Sequence, residues 1–348
     1  MRNITQVGID LAKVVFQVHG VDARGKEVLR KQLKRNQVMT FFAQLPACLI
    51  GMEACGSAHF WARQLTELGH TVKLIAPQFV KPYVKTNKND AADAEAICEA
   101  VGRPNMRFVP IKNSEQQALL ALHGARQGFV AARTAQANQI RGFLAEFGLV
   151  MPVGIRSLER KLPEFLEDAE NGLSGASRAL FARLLEHYRA LDRQVDELER
   201  EIHAWHREDT ASHRLQAIPG IGPLTASALV ASVGDAKVFR NGRQFAAWLG
   251  LVPRQFSTGG KTNLLGISKR GDVYLRTLLI HGARSVLYSL KRCPDRAEGW
   301  LARVAARRNP NIAAVALANK NARTVWALLA HGRSYQAGYR TVNGLAAA

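Results

Sequence analysis

Cysteine is scarce in this chain. Its four thiols among 348 residues, Cys48, Cys55, Cys98 and Cys293, form no C-x-x-C pair and have no histidine at zinc-ligand spacing. That excludes a disulfide framework and a zinc site as readings and predicts reduced thiols. Long apolar runs are missing too. A membrane-spanning helix needs about 20 consecutive apolar residues, and although 47% of the chain is hydrophobic, no stretch reaches that length. The apolar start after Arg2 is broken by Asp10 and Lys13, so it does not read as a signal peptide. These absences predict a cytoplasmic protein with no membrane partner. Acidic residues are few: 28 Asp and Glu stand against 48 Lys and Arg, a net charge of +20. Such a field favours a polyanion, because each neutralised phosphate releases condensed counterions. Residues 251–348 hold 16 Lys and Arg against only Asp272, Asp295 and Glu298, so this part is expected to grip a nucleic-acid backbone.

What is present begins with alternating strand and helix signals. The stretches VGID (7–10), VVFQVHG (14–20) and KEVLRKQL (26–33) read as a three-stranded meander with a turn at DARG (22–25). A helix over 37–45, a strand over 48–53, a helix over 57–69 and a strand over 71–77 follow, which together make a mixed α/β sheet. Residues 114–147 form a long helix without proline, and 162–176 read as a polar break. In 177–205, Leu180, Leu184, Tyr188, Leu191, Val195, Leu198 and Ile202 recur at steps of three and four. This seam predicts a coiled-coil pair, within or between chains, or an amphipathic helix of a bundle. From about 212 the chain reads as a separate, mostly helical module, and the tail at 341–348 is expected to lack structure.

Carboxylates stand where strands end or a helix opens. Asp10 lies in the first strand and Glu53 closes the fourth, while Asp90 and Asp93 sit three apart in NKNDAADAEAI, a helix with Asn89 or Asn87 as its cap. Strands disfavour Asp, so Asp10 calls for a reason. Oxygen ligands without His or Cys suit Mg²⁺ or Mn²⁺, and two such ions about 3.5–4 Å apart serve phosphodiester chemistry. Taken singly, Asp90 or Asp93 also reads as a solvated helix acid.

The basic part carries two motifs. In AIPGIGPLTASALVASVG (217–234), Gly220 and Gly222 permit a tight turn before a helix whose N-terminus can hold a phosphate oxygen; the pattern is that of a helix-hairpin-helix or of a plain helix turn. In RQFSTGGKTNLLGISKRGDVYLR (254–276), the hydroxyls of Ser257 and Thr258 precede Gly259 and Gly260 amid Arg254, Lys261, Lys269, Arg270 and Arg276. The loop lacks phosphate-loop spacing and has no nearby histidine base, so by itself it reads as a phosphate-gripping loop. Arg303 and Arg307 share a helical face suited to backbone contacts. Trp248, Trp300 and Trp326 read as core.

The order β-β-β-α-β-α-β-α with these acids resembles the ribonuclease H-like fold in its RuvC-like version. More closely, VGIDLAK, GMEACGSAHFWA and NKNDAADAEAI resemble DEDD-type transposases of bacterial insertion sequences, the bridge-RNA-guided recombinases, and the C-terminal module matches as well. The resemblance implies a RuvC-like catalytic domain over 1–112, a helical coiled-coil oligomerisation region over 113–210, and a mostly α transposase domain over 211–340 with a helix-hairpin-helix-like motif. It implies DNA as substrate, a structured guide RNA, a dimer or tetramer with composite active sites, and a place at the bacterial nucleoid. It also implies a serine that forms a covalent phosphoserine link to DNA. Ser257 is the first choice and Thr258, which a gapless match to some members favours, is the alternative, while Ser268 reads as a phosphate or structural contact. A junction-resolving nuclease that uses water and a non-catalytic nucleic-acid binder are the rival readings.

Overall fold

The computed structural model describes residues 3–85, 89–292 and 299–337. The expected tail, Cys293 and the alternative cap Asn87 lie outside the described residues. The chain forms two compact units, residues 1–116 and 117–348, so the expected helical region and basic module fall within one of them.

The first unit is built on a sheet ordered β3-β2-β1-β4-β5-β6. Strands β1 (Gln6–Asp10), β2 (Val15–Val21) and β3 (Glu27–Lys34) form the expected antiparallel meander. After α1 (Val38–Ala43), β4 (Leu49–Glu53) pairs parallel to β1. Helix α2 (Ala58–Glu67) leads to β5 (Thr71–Ile75), parallel to β4. Next come α3 (Pro77–Val80), α4 (Asp90–Val101) and the short antiparallel edge β6 (Phe108–Val109). Strand β1 buries three successive residues, Val7, Gly8 and Ile9, because both faces of the sheet are covered. On one face Phe16, Ile50 and Met52 pack with Phe42, Trp61 and Leu65. Against the other lies α4, started by the Asn89 side chain, which accepts from the Ala92 N–H at 2.8 Å.

The second unit opens with long helices. Helix α5 (Ser114–Glu146) and α7 (Gly175–Glu208) run antiparallel, since Arg126 pairs with Glu199 and Arg133, two turns on, pairs with Asp192, two turns back. The seam of α7 holds from Tyr188 to Ile202 but not before it. There Phe181 and Leu185 are buried and Leu180 is 43% exposed, because the first turns pack on α6 (Ile155–Glu167) and the end of α5. Helix α6 shortens the expected break at 162–176 to residues 168–174: Pro163 sits inside the helix, and burial of Leu158 and Leu162 outweighs the hydrogen bond that proline cannot make.

The remaining helices are α8 (Thr210–Leu215), α9 (Pro223–Val233), α10 (Gly242–Trp248), α11 (Val273–Arg292), α12 (Trp300–Arg307) and α13 (Pro310–His331). Leu229, Phe245, Leu275, Leu279, Ala318 and Val325 form their core. Trp248 and Trp326 pack against it as expected, whereas Trp300 is 38% exposed with the Lys320 ammonium over its ring. A hairpin of β7 (Pro253–Gln255) and β8 (Leu264–Ile267) separates α10 from α11. No helix among the described residues is long and apolar enough to cross a membrane.

Candidate functional site

Asp10 and Glu53 end neighbouring parallel strands. The ladder pairs Gly8 with Gly51 and Ile9 with Met52, so continued by one residue the same register sets Asp10 beside Glu53, on strands whose backbones lie about 4.8 Å apart. Their face follows from the glycines two residues earlier. A Cβ on Gly8 would fall 2.2 Å from the Ala94 carbonyl oxygen, and one on Gly51 would fall 2.7 Å from the Val101 Cβ. Both glycines therefore face α4, and by the strand period of two so do Asp10 and Glu53. The bare backbone lets the helix sit directly on the sheet.

Helix α4 runs against the direction of β1. The Gln6 amide donates to the Cys98 carbonyl, while Gly8, further along the strand, meets Ala94, a turn nearer the start of the helix. Extended by two strand residues, the same alignment brings the first turn of α4, which carries Asp90 and Asp93, to the end of the face where Asp10 and Glu53 stand. Asp10, Glu53 and Asp93 are half-buried and Asp90 is exposed. Among the described residues, no three His, Cys, Asp or Glu side chains close on one point as a metal cage. The donors brought to this end are nonetheless carboxylate oxygens, the chemistry a hard divalent cation takes. Cys55 marks the shared field: desolvation, then the Glu53 carboxylate, then that of Asp10 push its thiol above the usual range.

The hydroxyls of the basic module lie on an exposed two-stranded ribbon. Thr258 and Lys261 exchange backbone hydrogen bonds of 3.3 and 3.0 Å across Gly259 and Gly260, whose φ of 53° and 76° make the tip a two-residue type I′ turn. The glycines thus serve the turn. Phe256 donates its N–H to the Asn263 carbonyl between the isolated Thr258–Lys261 bridge at the tip and the Gln255–Leu264 pair, so the three pairs share one register. Ser257 and Thr258 accordingly project to opposite faces. The Gln255 side-chain amide donates to Ser257 Oγ at 2.9 Å, as residues two apart on one face do.

Arg254, Lys261, Lys269 and Arg270 are exposed around the ribbon and its base. Lys269 holds a left-handed φ of 54° where its N–H reaches the Gly250 carbonyl at 3.1 Å. Arg276 requires a correction. It is 8% exposed, and its guanidinium donates to the carbonyls of Leu249, Arg270 and Asp272, so it ties α11 to the preceding loops and is unavailable to a phosphate. Gly220 also has a packing duty: at φ 87° it lies on α11, where a Cβ on Gly282 would fall 1.8 Å from its carbonyl oxygen. Gly222 is exposed at the start of α9. Arg303 and Arg307 are exposed on α12.

Reading residues one at a time missed Gly8, Gly51, Cys55 and Gln255. A signal for the glycines was there, since VGID and IGME each place Gly two residues before the carboxylate.

Two family models match the chain. One for DEDD-type IS110 transposases covers residues 7–148, and one described as "Transposase IS116/IS110/IS902 family" covers residues 212–297. A Pseudomonas aeruginosa protein named "Probable family 20 transposase" is 56% identical over 337 residues, 97% of this chain and 100% of that protein. The "Transposase for insertion sequence element IS1328" of Yersinia enterocolitica is 46% identical, with 95% of this chain and 98% of the relative covered. The "Transposase for insertion sequence element IS1111A" of Coxiella burnetii is 45% identical over 97% of this chain and 93% of the relative.

Proposed function

The chain belongs to the DEDD-type IS116/IS110/IS902 transposase family, and from that membership we propose that it cuts and rejoins DNA strands with Ser257 as nucleophile and its four acids as holders of Mg²⁺ or Mn²⁺. The observation that carries this reading is the meeting of Asp10 and Glu53 on one sheet face with the start of α4 over its end.

When bound there, a divalent cation supplies Lewis-acid stabilisation of a phosphate oxygen. Asp10 and Glu53 would hold it from rigid strands, and Asp93 and Asp90 from the first turn of α4. Strands suit the task, because a ligand must be held within about half an ångström. Ser257 Oγ forms a bond to phosphorus as one bond between phosphorus and a deoxyribose oxygen breaks. The serine proton passes to solvent and the departing oxygen takes one up. Gln255, by donating to Oγ, orients the hydroxyl and leaves its proton free to depart. One phosphate ester replaces another, so a second DNA hydroxyl can reverse the link without an external energy source. Arg254, Lys261, Lys269 and Arg270 hold the backbone, which positions DNA without reading its sequence.

The family likeness adds a structured guide RNA, an assembly of two or more chains with α5 and α7 as the oligomerising region, and a helix-hairpin-helix role for α8, α9 and the turn at Gly220 and Gly222. The ladder favours Ser257 over Thr258 only in that Ser257 has a side-chain donor at its hydroxyl.

The test is a denaturing gel of the full chain with duplexes carrying the element ends and Mg²⁺. A protein–DNA adduct that survives denaturation is expected for wild type and Thr258→Ala and absent for Ser257→Ala. Cleaved DNA with no adduct in wild type would establish water as the attacking group and overturn the reading; an adduct lost only in Thr258→Ala would move the role by one residue.

A further inference from the structure

Phe256 is 71% exposed, between Gln255 and Ser257, on a ribbon whose residues 253–266 are all exposed among the described residues. Leu264 and Leu265 on the facing strand are 61% and 46% exposed. Burial of a Phe side chain is worth roughly 1.5–3 kcal/mol, and an isolated two-stranded hairpin is marginal in water. A surface built this way gains most when something covers it.

The charge around it narrows what that is. Between Leu251 and Gly271 the sequence holds Arg254, Lys261, Lys269 and Arg270 and no acidic residue. A second copy of the ribbon would set like charges against each other, whereas a nucleic acid brings phosphates to the cations. An intact duplex, however, offers an apolar ring only phosphates and polar base edges. An unstacked base offers a π-face, and exposed aromatics among cations are the means by which proteins hold such bases. The ladder adds the geometry. Phe256 opposes Asn263 and shares its face with Thr258 and Lys261, while Ser257 and Gln255 share the other.

We propose that the β7–β8 ribbon is a two-faced wedge for opened DNA, with Phe256 stacking on an unpaired base on one face while Ser257 meets the backbone of a strand on the other. This deepens the assignment of the ribbon to the site of strand cleavage and rests on that reading for Ser257 alone. Phe256 is a positioning residue that holds the duplex open where strands are exchanged; Lys261 on its face neutralises the phosphate next to the stacked base.

The experiment uses the full chain carrying Ser257→Ala, so that it is independent of covalent chemistry. Binding is measured to a mixed-sequence duplex with a short central unpaired bubble containing 2-aminopurine, and to the same duplex fully paired. Phe256→Ala should weaken binding to the bubble about tenfold, the size of one lost base stack, and leave the paired duplex within about twofold. Phe256→Trp should restore bubble binding, and its added indole fluorescence should be quenched by the bubble alone. Equal loss on both duplexes, with thermal unfolding unchanged, assigns Phe256 to general ribbon order and overturns the proposal. So does wild-type affinity of Phe256→Ala for the bubble, or a shift in its sedimentation with no change in DNA binding, which would place a second copy on the ribbon. Loss of the covalent adduct in Ser257→Ala bears only on the nucleophile.

Discussion

Gly8 on β1 and Ala94 on α4 meet backbone to backbone: a Cβ added to Gly8 would lie 2.2 Å from the Ala94 carbonyl oxygen and 2.4 Å from the Cys98 nitrogen. This contact sets how far α4, and with it Asp90 and Asp93, stands above the strand that carries Asp10. The obstructing atoms belong to the helix backbone, so no side-chain rotation relieves a substitution. Gly8→Ala should cost about 1–3 kcal/mol or more of stability, as overpacking does, read by urea unfolding, and the strand cleavage proposed for this site should fall even where the protein remains folded. Gly56→Ala, which like Gly8 has no left-handed φ but has nothing within 4 Å of the added methyl, serves as the control for a methyl added without a clash.

Asp10 and Glu53 both raise the Cys55 thiol, after desolvation. Replacing either carboxylate by its amide removes a charge that disfavours thiolate, so Asp10→Asn and Glu53→Gln should each increase the rate of Cys55 alkylation by iodoacetamide at a fixed pH near 8. Thiolate is the reactive form. Cys48 and Cys98 are buried with thiols pushed up to about 11, and they should stay silent. A Cys293→Ser background removes the fourth thiol. Unchanged rates in both variants would contradict the side-by-side placement of the carboxylates.

Two histidines, His123 buried and His59 half-buried, set a pH limit. Burial, then Arg126, lowers His123 to about 4 where it lies between the Tyr274 hydroxyl and Ser227 Oγ. Burial, with Lys112 and Arg63 behind it, lowers His59 to about 4. In each case the folded state favours the neutral ring, so the unfolded chain binds the extra proton. Their contribution is fully present above the unfolded value of about 6.5 and is lost as pH falls from there toward 4, by roughly 2 kcal/mol for His123 at pH 5. Urea unfolding of wild type at pH 7 and pH 5 should show the loss, and His123→Gln should flatten the part that belongs to the second unit.

Arg276 and Lys261 should separate stability from binding. Arg276→Ala takes the guanidinium from the Leu249 and Arg270 carbonyls, while the Asp272 carbonyl keeps the backbone N–H of residue 276, and should cost about 2–4 kcal/mol, with Arg276→Lys restoring little because an ammonium lacks the guanidinium's fork. Lys261→Ala should leave unfolding unchanged and reduce the salt dependence of DNA binding by about one phosphate's worth. A matching drop in salt slope for folded Arg276→Ala would return that residue to the DNA surface.

Much of the first unit was legible residue by residue. The alternation of Val7, Ile9, Phe16 and Val18 and the turn at DARG set out the strands, and Asn89 before Asp90 marked the start of α4. In the second unit the same reasoning found α5 and most of α7 but missed α6, because Pro163 and Gly154 carry the marks of a loop. It also took the first turns of α7 to bury Leu180 and Leu184, where Phe181 and Leu185 are inside. A straight helix drifts from a heptad register by about 20° per repeat, and the helices packed against each end chose the buried stripe.

The sequence by itself determined the periods: which segments are strands or helices, that carboxylates end two of the strands, and that the last hundred or so residues are basic. These are properties of neighbours along the chain. Tertiary structure decided the faces and the burial. It turned Asp10 and Glu53 toward α4 through Gly8 and Gly51, drew Arg276 inward onto carbonyls from Leu249 and Arg270, and set Ser257 and Thr258 back to back on a ribbon. Such outcomes depend on which distant element supplies the packing surface or the hydrogen-bond acceptor, and a local pattern carries no record of a partner that approaches through space.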